Sequence, residues 1–217
     1  EKILQSMMVH LHLHNIAYDI RQAYTWAPLP AGERIAVVYP EGFKAKHPDT
    51  GEELYMILEK NLYGMPSAAR GWSECRNAFI LSKFNTAPWS CFQCVHDPCL
   101  FVVDKQRVVS RGGQGTRSGE SPHRGQQPPS DPLGVSDDLP DNVDRSWILI
   151  HTDDCDAYGT SLDVLHEIND IMNNEWETEL VDRSYVLGVK RNLVQDSTGW
   201  HVTLTMTSFI DDLVTQF

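Results

Sequence analysis

The sequence predicts an α+β fold, because apolar strand candidates are mixed with amphipathic helix candidates without strict alternation. A strongly apolar run at 147–151 is followed by a turn and a second strand candidate at 155–158. Apolar residues recur at helical spacing within 67–84. A chain of 217 residues with 41% apolar and 22% charged residues is long enough to bury one core of ordinary size.

The first segment of the chain carries an alternating pattern. Residues 9–20 alternate between polar and apolar side chains, which predicts one strand with His10, His12 and His14 on a shared face. A row of histidines can bind a metal, but a partly exposed strand face is the simpler interpretation.

The middle of the chain predicts two short strands, a helix and a buried strand. The short strands are expected at 35–39 and 54–58, around a turn signal at 48–51. Residues 67–84 predict a helix whose apolar stripe faces the core. Residues 99–103 are apolar throughout, which favours a buried strand.

Residues 110–145 differ in composition from the rest of the chain. They are dense in Gly, Ser, Pro, Gln and Asp and carry almost no large apolar side chain. Such a segment cannot bury enough surface to offset its ordering entropy, so we expect a disordered insertion. It divides the chain into a first part, 1–109, and a second part, 146–217.

Beyond the strand pair already described, the second part predicts a helix, a hairpin and a last helix. Ser161 is expected to cap the first helix. Residues 185–194 and 200–206 flank an Asp-Ser-Thr-Gly turn signal and predict the hairpin. Thr207 is expected to cap the last, short helix.

The net charge, the apolar runs and the start of the chain limit the kinds of function that we expect. The formal net charge of −12 counts against nucleic-acid binding, because phosphate contacts need Lys and Arg. No apolar run approaches the length that a bilayer requires, and no signal segment opens the chain, so no membrane partner is expected. The first residue is Glu1, which predicts a fragment of a longer protein.

The odd cysteine count predicts reduced thiols in an intracellular setting. Cys91 and Cys94 form a Cys-x-x-Cys pair. A zinc site needs a second pair of ligands at a suitable distance, so zinc remains a minor alternative here.

Three aspartates carry the clearest chemistry. Asp153 and Asp154 lie in a turn after an apolar strand, and Asp19 lies at the end of another strand candidate. Carboxylate oxygens are the ligands that Mg²⁺ prefers. Two such sites brought together would hold two ions about 4 Å apart, as in phosphoryl-transfer enzymes. A solvated turn is the simpler alternative.

Six segments in order resemble the reverse transcriptase domain of copia-type retrotransposons. They are YDIRQAY at 18–24, YPEGF at 39–43, LYGMPSAARGW at 62–72, HDPCLFV at 96–102, ILIHTDDCDAYG at 148–159 and YVLGV at 185–189. The resemblance implies a polymerase palm-and-fingers fold, a mixed or antiparallel sheet packed on helices with the thumb absent. It implies fingers and the first part of the palm in 1–109. The catalytic hairpin and a primer-grip-like hairpin would then lie in 146–217.

The same resemblance implies an RNA-directed DNA polymerase that adds deoxynucleotides to a primer 3′ end. Asp19, Asp153 and Asp154 would be the catalytic ligands of two Mg²⁺ ions, with Mn²⁺ as a substitute, and the backbone carbonyl of Ile20 would assist. The implied partners are an RNA template, a DNA primer, dNTPs and a larger polyprotein with integrase and RNase H. The implied location is a cytoplasmic particle or the nucleus.

Further roles follow by match to the family's motifs. Tyr24 would exclude a 2′-hydroxyl from the incoming nucleotide by its bulk, beside Ala23. Ser67 and Arg70 would contact that nucleotide. The residues implied at the template and primer are Gly64, His151, Leu187 and Gly188.

Three departures from the family pattern matter. His151 replaces the usual Tyr before the Asp pair, and Ser67 replaces a nucleotide-contacting Gln. The third is the insertion, 110–145, which enters between two palm strands. Two alternatives therefore stand beside the polymerase. One is a decayed remnant that keeps the fold and at most binds nucleic acid, and the other is an unrelated two-metal phosphotransferase or nuclease.

Overall fold

The computed structural model describes residues 2–107, 141–182, 184–186, 189–196 and 199–216, and it is of the α+β class. The helices are α1 (Lys2–Leu11), α2 (Ala23–Trp26), α3 (Ala68–Lys83), α4 (Leu162–Trp176) and α5 (Thr207–Gln216). The strands are β1 (His14–Ile20), β2 (Ala36–Val38), β3 (Tyr55–Ile57), β4 (Trp89–Gln93), β5 (Leu100–Gln106), β6 (Val143–His151), β7 (Asp154–Gly159), β8 (Thr178–Val181), β9 (Tyr185–Val186), β10 (Val189–Asp196) and β11 (Gly199–Thr205).

The chain forms two compact units. The first combines Glu1–Arg21 with Ile80–Phe217, and the second is Gln22–Phe79. Among the described residues, no helix combines the length and the apolar character that a bilayer crossing requires.

The first unit is built on a six-stranded sheet in the order β4-β5-β6-β7-β1-β8, and every pairing is antiparallel. Helix α4 packs on the face that carries Tyr18, whose hydroxyl lies 3.1 Å from the Met172 sulfur. A Cβ at Gly159 would come within 3.0 Å of Leu165, so glycine permits this close approach. Ser161 caps α4 as expected, accepting from the Val164 N–H.

Helix α1 contributes Leu4, Met7 and Met8 to a core cluster with Trp147 and Tyr158. Trp147 and Tyr158 are cross-strand neighbours and therefore share one face of the sheet. Tyr158 alternates along its strand with Ala157 and Gly159, which face the side that α4 covers. Helices on both faces explain why β7, the first half of β5 and the second half of β6 are mostly buried.

A smaller sheet and a last helix complete the first unit. The sheet has the order β11-β10-β9, and Asp196 pairs with Gly199 across the expected hairpin. The predicted strand at 185–194 is instead two strands, β9 and β10. Leu187 and Gly188 lie outside the described residues.

The second unit contains the short antiparallel pair of β2 and β3, in agreement with the predicted strands. It also contains the buried Asn61, whose side-chain amide donates to the carbonyls of Ala27 at 3.3 Å and Pro28 at 2.7 Å. Asn61 also accepts from the Ser67 hydroxyl at 2.9 Å. One buried amide therefore joins the segment after α2 to the start of α3.

The strand predicted at 9–20 was wrong over its first part. Helix α1 extends through Leu11, His12 has a φ of 52°, and β1 begins at His14. The three histidines therefore do not share a strand face, since His10 is helical. The spacing of Leu4, Met7, Met8 and Leu11 fits a helix, and burial of Leu4, Met7 and Met8 outweighs the local alternation.

The predicted insertion at 110–145 ends too late. Strand β6 begins at Val143, and Arg145 pairs with Asp104 on β5 at 2.7 Å. Asp144 likewise accepts from Arg107 at 2.9 Å. These ion pairs explain why polar residues belong to the strand. Residues 108–140 lie outside the described residues, so their expected disorder stays a prediction.

Candidate active site at the end of the six-stranded sheet

The hairpin of β6 and β7 presents Asp153 and Asp154 at one end of the sheet. His151 pairs with Asp154, which leaves a loop of only two residues, Thr152 and Asp153. Thr152 has a φ of 60°, which β-branched residues rarely adopt. The buried Ile148 and Ile150 anchor β6 beneath the loop. The apolar run therefore positions the carboxylates from below.

Asp19 reaches the same place from β1. It lies directly opposite Asp154 in the pairing of β1 with β7, and the Ile20 N–H donates to the Asp153 carbonyl at 2.9 Å. Residues opposite each other in an antiparallel pair share a face, with Cβ atoms about 4.5–5.5 Å apart. The sheet therefore brings Asp19 and Asp154 together and ties the backbone of Asp153 beside them.

The row of side chains continues on both sides of this pair. Glu179 lies opposite Asp19 in the pairing of β1 with β8, and His151 lies opposite Asp154. Together the four form what we call the acidic row: His151, Asp154, Asp19 and Glu179, one from each of four adjacent strands. Glu179 accepts from the Arg21 guanidinium at 2.6 Å, and both side chains are 59% exposed.

Glu179 was not predicted from the sequence. Nothing in its local pattern distinguishes it from any exposed strand residue. Its place follows only from the register of β8 against β1, which the sheet as a whole decides.

The acidic row concentrates negative charge. Burial, and then the charges of Asp153 and Asp154, raise the pKa of Asp19, while Arg21 opposes them. Burial and the charge of Asp153 likewise raise the pKa of Asp154, against the opposing influence of His151. Both shifts have the direction expected where like charges are held together without full neutralisation. A bound cation would relieve this repulsion.

The donor set suits a hard divalent cation, since every acidic group at the site offers carboxylate oxygens. Within the described ranges, however, no three His, Cys, Asp or Glu side chains are arranged to hold an ion. The backbone thus brings Asp19 and Asp154 opposite each other, whereas a metal cage would require side-chain rotation. Such rotations are available to half-exposed carboxylates.

The Cys-x-x-Cys pair lies elsewhere in the first unit. Cys91 and Cys94 are buried, and burial raises the pKa of the Cys91 thiol to about 12.

The second unit holds the residues expected at the nucleotide. Ala23 is fully buried, and the half-buried Tyr24 stacks at a tilt on Tyr63 with ring centroids 4.7 Å apart. Gly64 follows with a φ of 88°, a conformation that glycine adopts freely. Asn61, which holds Ser67 through its hydroxyl, was missed from the sequence. Its only sequence signal is its place beside Leu-Tyr-Gly.

Arg70 is highly exposed and donates to Glu74 one helical turn further on, at 2.8 Å. Such a pair adds little stability and leaves the guanidinium within reach of solvent. His151 is exposed at the end of β6. Of the template and primer residues implied by the resemblance, only Gly64 and His151 fall within the described part of the chain.

Scans of the chain against protein-family models, curated proteins and solved structures give no match. The resemblance of the six segments to copia-type reverse transcriptases therefore stays a prediction.

Proposed function

We propose that this chain is the reverse transcriptase domain of a copia-type retrotransposon, an RNA-directed DNA polymerase that extends a primer 3′ end with dNTPs. The observation that carries the proposal is the direct opposition of Asp19 and Asp154 across β1 and β7, with Asp153 at the hairpin tip. An antiparallel sheet covered by helices on both faces is compatible with a polymerase palm, and the second unit would form the fingers.

Asp19, Asp153 and Asp154 would hold two Mg²⁺ ions, with Mn²⁺ as a substitute, and the Ile20 carbonyl would assist. When bound, the ions supply activation of the attacking 3′-hydroxyl and stabilisation of the leaving phosphate. The hairpin supports this role because a two-residue loop limits the movement of Asp153. Burial, and then the neighbouring carboxylates, raise the pKa values of Asp19 and Asp154, and a bound dication would offset the repulsion between them.

The nucleotide would contact residues of the second unit. We assign to Tyr24, stacked on Tyr63, the exclusion of a 2′-hydroxyl, and to the small Ala23 the space beside it. Ser67 already donates to Asn61, and Arg70 to Glu74, so we expect weak nucleotide binding. The proposed template and primer contacts are Gly64, His151, Leu187 and Gly188.

The proposed partners are an RNA template, a DNA primer and dNTPs. A polyprotein with integrase and RNase H would supply the remaining domains. Because the chain carries a net charge of −12, it needs basic surface from such domains to hold a primer-template.

The test compares Asp154→Asn with Asp170→Asn, an equal charge change on the exposed side of α4. Primer extension is measured with a longer chain that includes a thumb, and Mn²⁺ affinity is measured separately by electron paramagnetic resonance. We expect Asp154→Asn to abolish extension and weaken Mn²⁺ binding, and Asp170→Asn to change neither. Equal Mn²⁺ affinity in both variants would contradict the proposed site.

The decayed remnant is the second candidate, and it is favoured by the engagement of Ser67 with Asn61. It predicts intact Mn²⁺ binding without extension. Ser67→Gln separates the two, because Gln restores the family's nucleotide contact. If the longer chain with Ser67→Gln still shows no extension in excess Mg²⁺ or Mn²⁺, the remnant replaces the polymerase.

A further inference from the structure

A cavity of about 600 Å³ lies in the first unit, away from the acidic row. Asn15 lines it, four residues before Asp19 on β1, which corresponds to about 13 Å along a strand. Its wall includes apolar side chains of Met8, Leu13 and Val202, and it also includes Arg191 from β10.

Arg191 is buried, with only 5% of its side chain exposed. Its Nη1 donates to Asp156 Oδ2 and to the Tyr158 hydroxyl, both at 2.8 Å. The second carboxylate oxygen of Asp156 accepts from Asn15 at 2.8 Å. Asp156 thus neutralises the guanidinium from one side and is itself held in place.

The other side of the guanidinium has no partner within the described part of the chain. Among the described residues, neither Nε nor Nη2 of Arg191 has a hydrogen-bond acceptor, and both are covered from solvent. Buried donors without acceptors are costly, so native structures rarely leave them so. This missing acceptor is the observation that points to a ligand.

The geometry of the two free donors selects the ligand's head group. Nε–H and one N–H of Nη2 are parallel on the same edge of the planar guanidinium. Two oxygens of one carboxylate accept such a pair of bonds at once.

The wall selects the rest of the ligand. Asp156 already balances Arg191, and Asp182 lines the cavity together with His12 and His14, so each added negative charge is costly and a monoanion is favoured over a dianion such as phosphate. The side chains of Met8, Leu13 and Val202 offer an apolar surface.

We propose that this cavity binds a small organic monocarboxylate, with its two oxygens on Nε and Nη2 of Arg191 and its apolar body against Met8, Leu13 and Val202. Binding requires a small movement of the side chains that cover the fork. The site is independent of the acidic row and of the proposed polymerase activity.

The test is calorimetric titration of the 217-residue chain with butyrate and benzoate. Butyramide is the neutral control of the same shape, and inorganic phosphate is the control for general anion binding. We expect the carboxylates to bind and both controls to bind at least about tenfold more weakly. Phosphate binding tighter than either carboxylate would overturn the assignment, and so would an absence of carboxylate binding.

Variants locate the site. Arg191→Lys keeps the charge but lacks the fork, so butyrate affinity should fall about tenfold or more. Val202→Trp should block binding by filling the cavity. Arg145→Lys is the matched control, because Arg145 is also held by a carboxylate but does not line the cavity. Unchanged affinity in Arg191→Lys and Val202→Trp would overturn the proposal.

Arg191→Lys risks misfolding because Asp156 and Tyr158 would lose the contacts that Nη1 of Arg191 makes with them. The double variant Arg191→Met with Asp156→Leu removes both charges at similar volume, which buried ion pairs commonly tolerate. Circular dichroism verifies its fold, and the folded double variant should bind no butyrate. Binding equal to that of the original chain would count against the site.

Discussion

Asp154 and Asp156 lie two residues apart on the same face of β7, yet their surroundings are opposite. Asp156 is buried and accepts from Arg191 and Asn15. Asp154 is half-exposed, lies opposite Asp19 and is adjacent to Asp153. The strand carries an aspartate at both positions, and the residues of the neighbouring strands determine the environment of each carboxylate.

This difference separates a charge that stabilises the fold from one that we propose to bind a cation. A buried carboxylate with a guanidinium and an amide around it fixes the position of β10 against β7. Ionised carboxylates that lie close together do not stabilise the fold, because each raises the free energy of the others' ionised form. Carboxylates with perturbed pKa values are found more often at functional sites than elsewhere.

The largest expected effect comes from removing the buried ion pair of Arg191 with Asp156. Arg191→Met leaves Asp156 as an uncompensated buried charge, and we expect a loss of about 3–5 kcal/mol in the free energy of unfolding. Urea denaturation measures it. Arg191→Met combined with Asp156→Leu should recover most of the loss. If the double variant is as unstable as the single one, packing of the Arg191 side chain matters more than its charge.

The next prediction compares Asp154 with Asp156 through Mn²⁺ affinity and the free energy of unfolding. Asp154→Asn should weaken Mn²⁺ binding about tenfold or more, because it removes a ligand charge. Its free energy of unfolding should change by less than about 1 kcal/mol, since the carboxylate is half-exposed and solvent screens it. Asp156→Asn should do the reverse, lowering stability and leaving Mn²⁺ affinity unchanged in the folded fraction. A loss of Mn²⁺ binding in folded Asp156→Asn would show that Asp156 also contributes to cation binding.

The hairpin of β6 and β7 was predictable because an apolar run, a polar turn and a second apolar run follow one another locally. The helix of Ala68–Lys83 was predictable for the same reason, from its apolar spacing. Glu179 and Arg191 were not, because each acquires its neighbours through pairings with strands far away in the chain. Local alternation was also misleading where α1 precedes β1, because burial of Leu4, Met7 and Met8 decided the helix.

The pH dependence of stability should differ between two groups of carboxylates. Burial and neighbouring negative charge raise the pKa values of Asp19 and Asp154, whereas hydrogen bonds from Arg107 lower that of Asp144. A carboxyl whose pKa is raised in the folded state contributes its full stabilisation below its unfolded-state pKa near 3.8. This contribution is lost as pH rises through the folded-state pKa. The contribution of Asp144 is present above 3.8 and is lost as pH falls through its lowered pKa.

Urea denaturation from acidic to neutral pH measures these opposite slopes. The double variant Asp19→Asn with Asp154→Asn should lose less stability than the original chain as pH rises. Mg²⁺ should likewise reduce this loss in the original chain. Asp144→Asn should instead lose less stability than the original chain as pH falls. Identical pH profiles for the two sets of variants would show that the acidic row is fully screened by solvent.

The smallest expected effect concerns the loop that holds Asp153. Thr152 has a φ of 60°, and glycine adopts this conformation without the steric penalty of a β-branched side chain. Thr152→Gly should therefore stabilise the fold by about 0.5–1 kcal/mol, after the entropy that glycine loses on folding. Asn tolerates this region better than Thr, so Thr152→Asn should lie between the two in thermal denaturation. Relaxing the loop should also hold Asp153 less firmly, so Mn²⁺ affinity should fall slightly in Thr152→Gly while stability rises. A variant that gains both stability and Mn²⁺ affinity would show that the strained loop does not position the carboxylate.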